Sequence, residues 1–169
     1  MRVDRFISRH PKLFHVTSPG AWQSIEKHGL LSTSAALDLC KVIGRDRKAL
    51  EEQHRPIDIA IGSAEEPLVL KNQASMPPHR PQETLPKETS TAEWYKFTNG
   101  RVFMWADERR VFRLLNARAY RKHSHEVLII DTESIVHDYL NNIKLCRMNS
   151  GSTFPIAHQR KFSDFLSIE

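Results

Sequence analysis

The chain has little cysteine and no long apolar run. It contains only two cysteines among 169 residues, and both Cys40 and Cys146 lie in apolar contexts, so we expect reduced, buried thiols rather than a disulfide. No segment approaches the roughly 20 apolar residues of a membrane span. No apolar core follows residues 1–5 to make a signal peptide. These absences predict a cytoplasmic protein without a membrane segment.

Several nucleotide-binding and catalytic motifs are also missing. The sequence has no Walker A loop, no Rossmann glycine pattern and no nucleophile elbow. His123 and His125 would share one face of an extended strand, but no third ligand is spaced to complete a zinc site, so we predict no metal.

The charge of the chain is positive overall. Its formal net charge is +5 and its isoelectric point is about 9.4, which suits a polyanionic partner such as DNA or RNA. No Lys/Arg tract or basic stripe stands out, so a solvated basic surface is the alternative. The length and the hydrophobic fraction of 40% are ordinary for one soluble globular domain over residues 1–169.

Helix and strand signals follow one another irregularly along the chain. Periodicity, capping residues and turn signals predict these elements: a strand at 13–17, a helix at 19–28 between Ser18 and Gly29, a helix from Ser34 through Cys40, a helix from Asp46 to about Gln53, a hairpin of 57–61 and 67–71, a helix from the capping box at Ser90 through Phe97, a strand at 101–105, a helix from Asp107 through Arg118, and strands at 126–131 and 143–147. Residues 74–91 hold four of the nine prolines and are predicted to be a long loop. Because helices lie early and strands late, we predict an α+β fold with mixed, mostly antiparallel sheets flanked by short helices.

Two segments carry candidate functional side chains. His15 and Thr17 lie two residues apart on a predicted strand, so both side chains project to one face. The chain then turns directly into a helix, and such turns often form the rim of a ligand site. A histidine satisfied within the core is the alternative. Glu126 opens the apolar run 127–130, where it is either a solvated rim residue or a positioned catalytic group. Residues 149–153 are rich in donors and could hold phosphate or ribose hydroxyls, or form a plain turn.

The same segments resemble the DarT family of NAD-dependent ADP-ribosyltransferases. Residues 13–17 followed by 25–31 are similar to the family's opening, which is an apolar strand, His-x-Thr, a short helix and Gly-Leu. The resemblance continues in the same order at 67–76, 101–105 and 125–128. It is strongest toward an uncharacterised bacterial branch marked by Arg-Val-Phe-x-Trp and Asn-Ser-Gly-Ser-Thr. The chain departs from the family at Ala21-Trp22, where the family often has Asn-Leu.

The resemblance implies a single ADP-ribosyltransferase-like domain that uses NAD as co-substrate. Glu126 would be catalytic and the 74–91 loop a lid that recognises the acceptor. The family's arginine near the nicotinamide has no certain match, with Arg55 and Lys71 both candidates. The residues implied to contact NAD are His15, Val16, Thr17, Arg55 and Lys71.

The acceptor implied by the resemblance is a base in DNA or RNA, and the protein would be a toxin or defence effector with an antitoxin as partner. A protein acceptor, or water in an NAD glycohydrolase, would use the same NAD site. An alternative of another class is a non-catalytic nucleic-acid-binding domain, in which Glu126 is a rim residue. The aromatics Trp94, Tyr95 and Trp105 are candidate stacking platforms for bases.

Overall fold

The chain divides into two compact units. The computed structural model describes residues 1–73, 79–118, 120–147 and 159–169. The first unit comprises Met1–Pro19, Phe103–Asn149 and Phe162–Glu169, and the second comprises Gly20–Val102 and Ser150–Lys161. Helices accompany small antiparallel sheets in both units, so the α+β class is confirmed. A single ADP-ribosyltransferase-like domain over 1–169 stays a prediction.

The elements are numbered in chain order. They are α1 (Val3–Arg9), β1 (Lys12–Thr17), α2 (Trp22–His28), α3 (Thr33–Leu39), α4 (Gly44–Glu52), β2 (Ile59–Gly62), β3 (Pro67–Leu70), α5 (His79–Thr84), α6 (Thr91–Asn99), α7 (Glu108–Leu115), β4 (Glu126–Asp131), α8 (Thr132–Tyr139), β5 (Lys144–Cys146) and β6 (Phe165–Ser167), with short 3-10 turns at Leu140–Asn142 and Phe162–Asp164.

In the first unit, β1 and β4 form an antiparallel pair, and β5 pairs with β6. The core of this unit consists of four buried side chains from α1, β1, α8 and the C-terminal end of the chain: Phe6, Leu13, Val136 and Ile168. Ile130 of β4 packs against this cluster. Since Leu13 and Ile130 are also cross-strand partners, the core lies against one face of the β1–β4 pair.

The second unit is built around the β2–β3 hairpin and the helices α3, α4 and α6. Its core contains Ala36, Leu37 and Leu70. The predicted hairpin is confirmed, with Ile59 opposite Leu70 and the chain reversing after Gly62. Gly62 has a φ of +89°, a left-handed conformation that glycine adopts without a steric penalty.

Two predicted helix caps are confirmed. Ser90 and Glu93 form the full capping box at the start of α6, and Asp107 caps α7 by accepting from the Arg109 backbone N–H at 2.9 Å. Asp131 caps α8, a helix that the sequence patterns do not predict.

Three predicted helix starts are wrong. Ser32, not Ser34, caps α3, and α2 begins at Trp22, after the predicted Pro19. Helix α4 begins at Gly44, two residues before the predicted Asp46.

Residues 101–105 do not form the predicted strand. Only Trp105 makes a bridge, in which its backbone exchanges hydrogen bonds of 2.9 and 2.8 Å with Phe14 of β1. The predicted 74–91 loop contains α5, while 74–78 lie outside the described residues. The polar segment 149–153 also lies outside them. The predicted strand at 143–147 is present as β5, and β6, which the sequence patterns do not predict, follows it.

Trp94 and Tyr95 are buried in the second unit, so neither is a stacking platform for bases. Cys40 and Cys146 are free thiols, as predicted, but only half-buried. Among the described residues, no group of His, Cys, Asp and Glu side chains is arranged to hold a metal ion. No helix in the same part of the chain combines the length and apolar character needed to cross a bilayer.

Candidate functional site

The register of the β1–β4 pair joins the candidate residues of the first unit. Thr17 is the direct cross-strand partner of Glu126, and His15 is the partner of Leu128. Directly opposed side chains lie on the same face, with Cβ atoms about 4.5–5.5 Å apart, and residues two apart on a strand share that face. His15, Thr17 and Glu126 therefore lie together on one face, although more than a hundred positions separate them in sequence.

Val16 lies on the opposite face of the pair. Its cross-strand partner is Val127, and Val127 and Ile129 are exposed there. Of the three consecutive residues predicted to contact NAD, two project beside Glu126 and the third projects away from it.

The ring of His15 is oriented by a backbone carbonyl. Its Nδ1 lies 2.9 Å from the Phe103 oxygen, and a carbonyl oxygen can only accept a hydrogen bond, so Nδ1 carries the proton. In the neutral imidazole this leaves Nε2 as a hydrogen-bond acceptor. Such a nitrogen suits a ligand whose hydroxyl group donates a hydrogen bond, as the hydroxyls of a ribose can.

Glu126 is half-buried at the first position of β4, with one carboxylate oxygen fully enclosed. The residue before it is also fixed: His125 donates from Nε2 to the Tyr120 carbonyl at 3.1 Å, and the two rings lie 5.6 Å apart. These contacts position the start of β4 and, with it, the carboxylate. The site thus combines an anion, a hydroxyl and an imidazole acceptor.

Arg55 belongs to the second unit and is only 4% exposed. Its guanidinium donates to the Leu50 carbonyl, to Thr33 Oγ1 at 3.2 Å and to Asn99 Oδ1 at 3.0 Å. Burial lowers the pKa of Arg55. Two of its three nitrogens are thus bonded within its own unit, an arrangement typical of a structural arginine.

Lys71 follows β3 in the second unit and is half-buried. The structure therefore brings together His15, Thr17 and Glu126 within one unit, whereas Arg55 and Lys71 both lie in the other. The assignment of either cation to NAD stays a prediction.

An open cavity of about 340 Å³ lies elsewhere in the first unit. It is lined by residues that flank the ends of α1 and α7, namely Arg9, His10, Ala106, Asp107, Glu108 and Arg109. His10 precedes β1 and Thr17 ends it, so the length of the strand, about 20 Å at 3.3 Å per residue, lies between this cavity and the Thr17–Glu126 pair. The cavity and the candidate site are distinct.

Sequence reasoning missed the contacts that orient the site. The carbonyls of Phe103 and Tyr120 carry no side-chain signal, so no pattern could have identified them. Sequence reasoning also missed six exposed basic side chains from Arg109 to Lys122, because these side chains are interspersed among apolar residues rather than consecutive. Counting charge over a window of 15 residues would have found them.

Comparison with known proteins gives a family without a known function. No curated protein and no solved structure matches the chain. The model of a family described as "Family of unknown function (DUF7002)" matches residues 11–169. This match covers nearly the whole sequence, including both strands of the candidate site, and the chain is therefore a member of DUF7002.

Proposed function

We propose that the protein is an NAD-dependent mono-ADP-ribosyltransferase whose reaction centre is formed by Glu126, His15 and Thr17. The observation that carries the proposal is the pairing of Thr17 with Glu126, with His15 on the same face. A carboxylate, a hydroxyl and an imidazole acceptor are groups that suit the recognition of a ribose, and these three residues lie in segments that carry the resemblance to the DarT family.

The reaction breaks the bond between the nicotinamide nitrogen and C1′ of the ribose. Nicotinamide leaves with the bonding electron pair, and positive charge develops on the ribose ring, as in glycoside cleavage. The Glu126 carboxylate stabilises that charge electrostatically. When the acceptor attacks C1′, its proton passes to Glu126 and then to solvent. His15 accepts a hydrogen bond from a ribose hydroxyl through Nε2, and Thr17 helps to hold the same sugar.

The proposed acceptor is a nucleic-acid base, supported by the net charge of +5 and by the resemblance. A protein side chain or water would react at the same centre. Incubation with labelled NAD and separate pools of DNA, RNA and protein distinguishes these acceptors, because only one pool gains the label or, for water, free ADP-ribose accumulates.

The first prediction concerns NAD binding. Wild-type protein should bind NAD saturably in calorimetry, and His15→Ala should weaken binding because it removes the Nε2 acceptor. His137→Ala is a matched control, since His137 is an exposed histidine on α8 of the same unit, and it should bind as the wild type does. Absence of a saturable signal at millimolar NAD would contradict the proposal.

The second prediction concerns turnover. Glu126→Gln keeps the shape of the side chain but removes the charge that stabilises the transition state, so we expect NAD binding to persist while transfer falls by about 10² or more. Glu133→Gln, at an exposed glutamate of α8, should leave the rate unchanged. If the protein is a toxin, its expression should arrest growth and Glu126→Gln should relieve the arrest.

A Glu126→Gln rate within a few-fold of the wild type would assign catalysis to another residue. Oligonucleotide binding by a protein that neither binds nor consumes NAD would instead support the non-catalytic nucleic-acid-binding domain.

A further inference from the structure

The positive charge of the chain is concentrated in one segment. Residues 109–123, here called the basic segment, contain six cationic side chains and no acidic one: Arg109, Arg110, Arg113, Arg118, Arg121 and Lys122. The whole chain has 25 Lys and Arg against 20 Asp and Glu, so the 19 cations and 20 acids outside the segment sum to −1. These cations are interspersed with other residues, so the basic segment is not a continuous Lys/Arg tract, yet it accounts for the positive balance of the chain.

All six cations of the basic segment are exposed. Arg109 makes a long ion pair of 3.7 Å with Asp107. The side chains of the other five make no ion pair or hydrogen bond with any residue that the structure describes, although the backbone N–H groups of Arg110 and Arg121 donate within their own turns. Arg109 and Arg113 lie four positions apart on α7, where like charges destabilise a helix. Arg113 lies in the last turn of α7, where a cation is favourable, but Arg109 and Arg110 lie near the start of the helix, where a positive charge is unfavourable. Binding of a polyanion would offset this cost.

The helix presents its charge outward and its apolar side inward. Val111 is buried, Leu114 and Leu115 are half-buried, and α7 packs beside β1 in the same unit. Phe112 is the exception, with 57% of its surface exposed. A helix that lies in a membrane interface needs a whole apolar face to insert, and one phenylalanine does not supply it.

Arginine predominates, since five of the six cations are Arg. The guanidinium group binds phosphate through two parallel hydrogen bonds and stacks on planar rings, and an exposed aromatic such as Phe112 is a surface on which an unpaired base can stack. This combination favours a single-stranded nucleic acid over an acidic protein or lipid.

The basic segment is also attached to the start of β4. Tyr120 lies within it, and its carbonyl accepts the hydrogen bond from His125, the residue before Glu126. A strand bound along the segment would therefore lie beside the end of β4 that carries the carboxylate.

We propose that the exposed cations of α7, together with Arg118, Arg121 and Lys122, form the docking surface for the sugar–phosphate backbone of a single-stranded nucleic acid. Resting on the proposed function, this surface would deliver the acceptor base to Glu126. Docking itself needs no NAD.

The test compares two triple variants of the full chain. One replaces Arg110, Arg113 and Arg121 by Gln, and the control replaces Arg45, Lys48 and Lys87, which are exposed residues of the second unit. Each loses three charges, so the formal net charge falls from +5 to +2 in both. Binding to a fluorescein-labelled single-stranded DNA of mixed sequence is measured by fluorescence anisotropy across a salt series, without NAD.

The basic-segment variant should bind about tenfold or more weakly than the wild type. The slope of log K against log salt is negative, and its magnitude should decrease by about 2, because three phosphate contacts are lost and each contributes about 0.7 on a single strand. The control variant should keep the wild-type affinity and slope. Thermal unfolding should show the basic-segment variant to be about as stable as the wild type, because the relief of like-charge repulsion on α7 offsets the loss of the favourable cation Arg113 in its last turn.

Equal weakening in the two variants would overturn the proposal, because net charge alone would then explain binding. Failure of the wild type to bind at low salt, tighter binding to a duplex, or preferential binding to phosphatidylserine vesicles would also overturn it. Since NAD binding is measured separately, a failure of docking and a failure of the proposed reaction give different results.

Discussion

At the scale of single residues, Glu51 shows how a buried charge is accommodated. It lies on α4 with 4% of its surface exposed and accepts hydrogen bonds from the Ser34 hydroxyl and from Arg47 Nε at 3.2 Å. Burial by itself raises the pKa of Glu51. The hydrogen bonds from Ser34 and Arg47, together with the charge of Arg47, outweigh it, so the pKa is lowered overall from its ordinary value of 4.5.

This lowered pKa predicts a pH dependence of stability. As pH falls, Glu51 is protonated in the unfolded chain near its ordinary pKa of 4.5, and in the folded chain only at a lower pH. The stabilisation of the fold by Glu51 is therefore fully present above pH 4.5 and is lost as pH falls through the pKa of the folded state. Glu51→Gln should cost about 1–3 kcal/mol at pH 7, because Arg47 loses a charged hydrogen-bond acceptor, and should flatten the acid limb of the stability curve.

Urea unfolding of Glu51→Gln at a series of pH values provides the measurement, with the exposed Glu65→Gln as control. An unchanged acid limb in Glu51→Gln would show that the carboxylate titrates alike in the folded and unfolded chains.

Arg55 illustrates what a sequence leaves undetermined at this scale. It stands in a polar stretch between His54 and Pro56, which gives no sign that the side chain is buried. Its partners Thr33 and Asn99 lie 22 and 44 positions away, so only the tertiary fold identifies it as a structural guanidinium.

At the scale of elements, the signals that succeeded are local. The β2–β3 hairpin has alternating apolar residues and a turn between its strands, and the caps of α6 and α7 depend on side chains within three positions of the helix start. Each depends on contacts between neighbours in sequence, which a pattern can contain.

The incorrect predictions of helix and strand positions arise where two local structures are both compatible with the sequence and tertiary packing selects one. Ser32 and Ser34 can both cap a helix. The hydroxyl of Ser34 donates a hydrogen bond to Glu51, and Ser32 caps α3. Residues 101–105 have strand-forming composition, yet they obtain only one bridge, at Trp105. The strand β6 is three residues long, too short for a periodicity.

The candidate site lies between these cases. The sequence places His15 and Thr17 on one face of a strand, because that depends on alternation within six residues. It does not determine that Glu126 is opposite Thr17, since this depends on how two distant strands align.

At the scale of the whole molecule, the two chain ends meet within the first unit. Val3 N–H donates to the Glu169 carbonyl at 3.0 Å, and Glu169 N–H donates to the Met1 carbonyl at 3.2 Å. The last core residue, Ile168, lies beside them and belongs to the same buried cluster as Phe6 and Leu13. The C-terminal residues thus stabilise the unit that contains the candidate site.

Replacement of Ile168 should test this role. Ile168 is 7% exposed, so Ile168→Ala should lower the free energy of unfolding by about 2–5 kcal/mol through lost burial and a residual cavity. Leu166 lies two positions earlier and is 53% exposed, so Leu166→Ala should cost much less. Chemical denaturation of both variants gives the comparison, and similar losses in the two would contradict the assigned role of Ile168.

The alignment of β1 with β4 also imposes an arithmetic constraint on chain length. Leu13 with Ile130, at the core, and Thr17 with Glu126, at the site, are rungs of one ladder, four residues apart on each strand. Side chains alternate between faces, so inserting or deleting an odd number of residues within either interval would turn Thr17 or Glu126 to the far side. Such a change would retain every functional side chain yet disassemble the site, so parity within these two short intervals matters as much as residue identity.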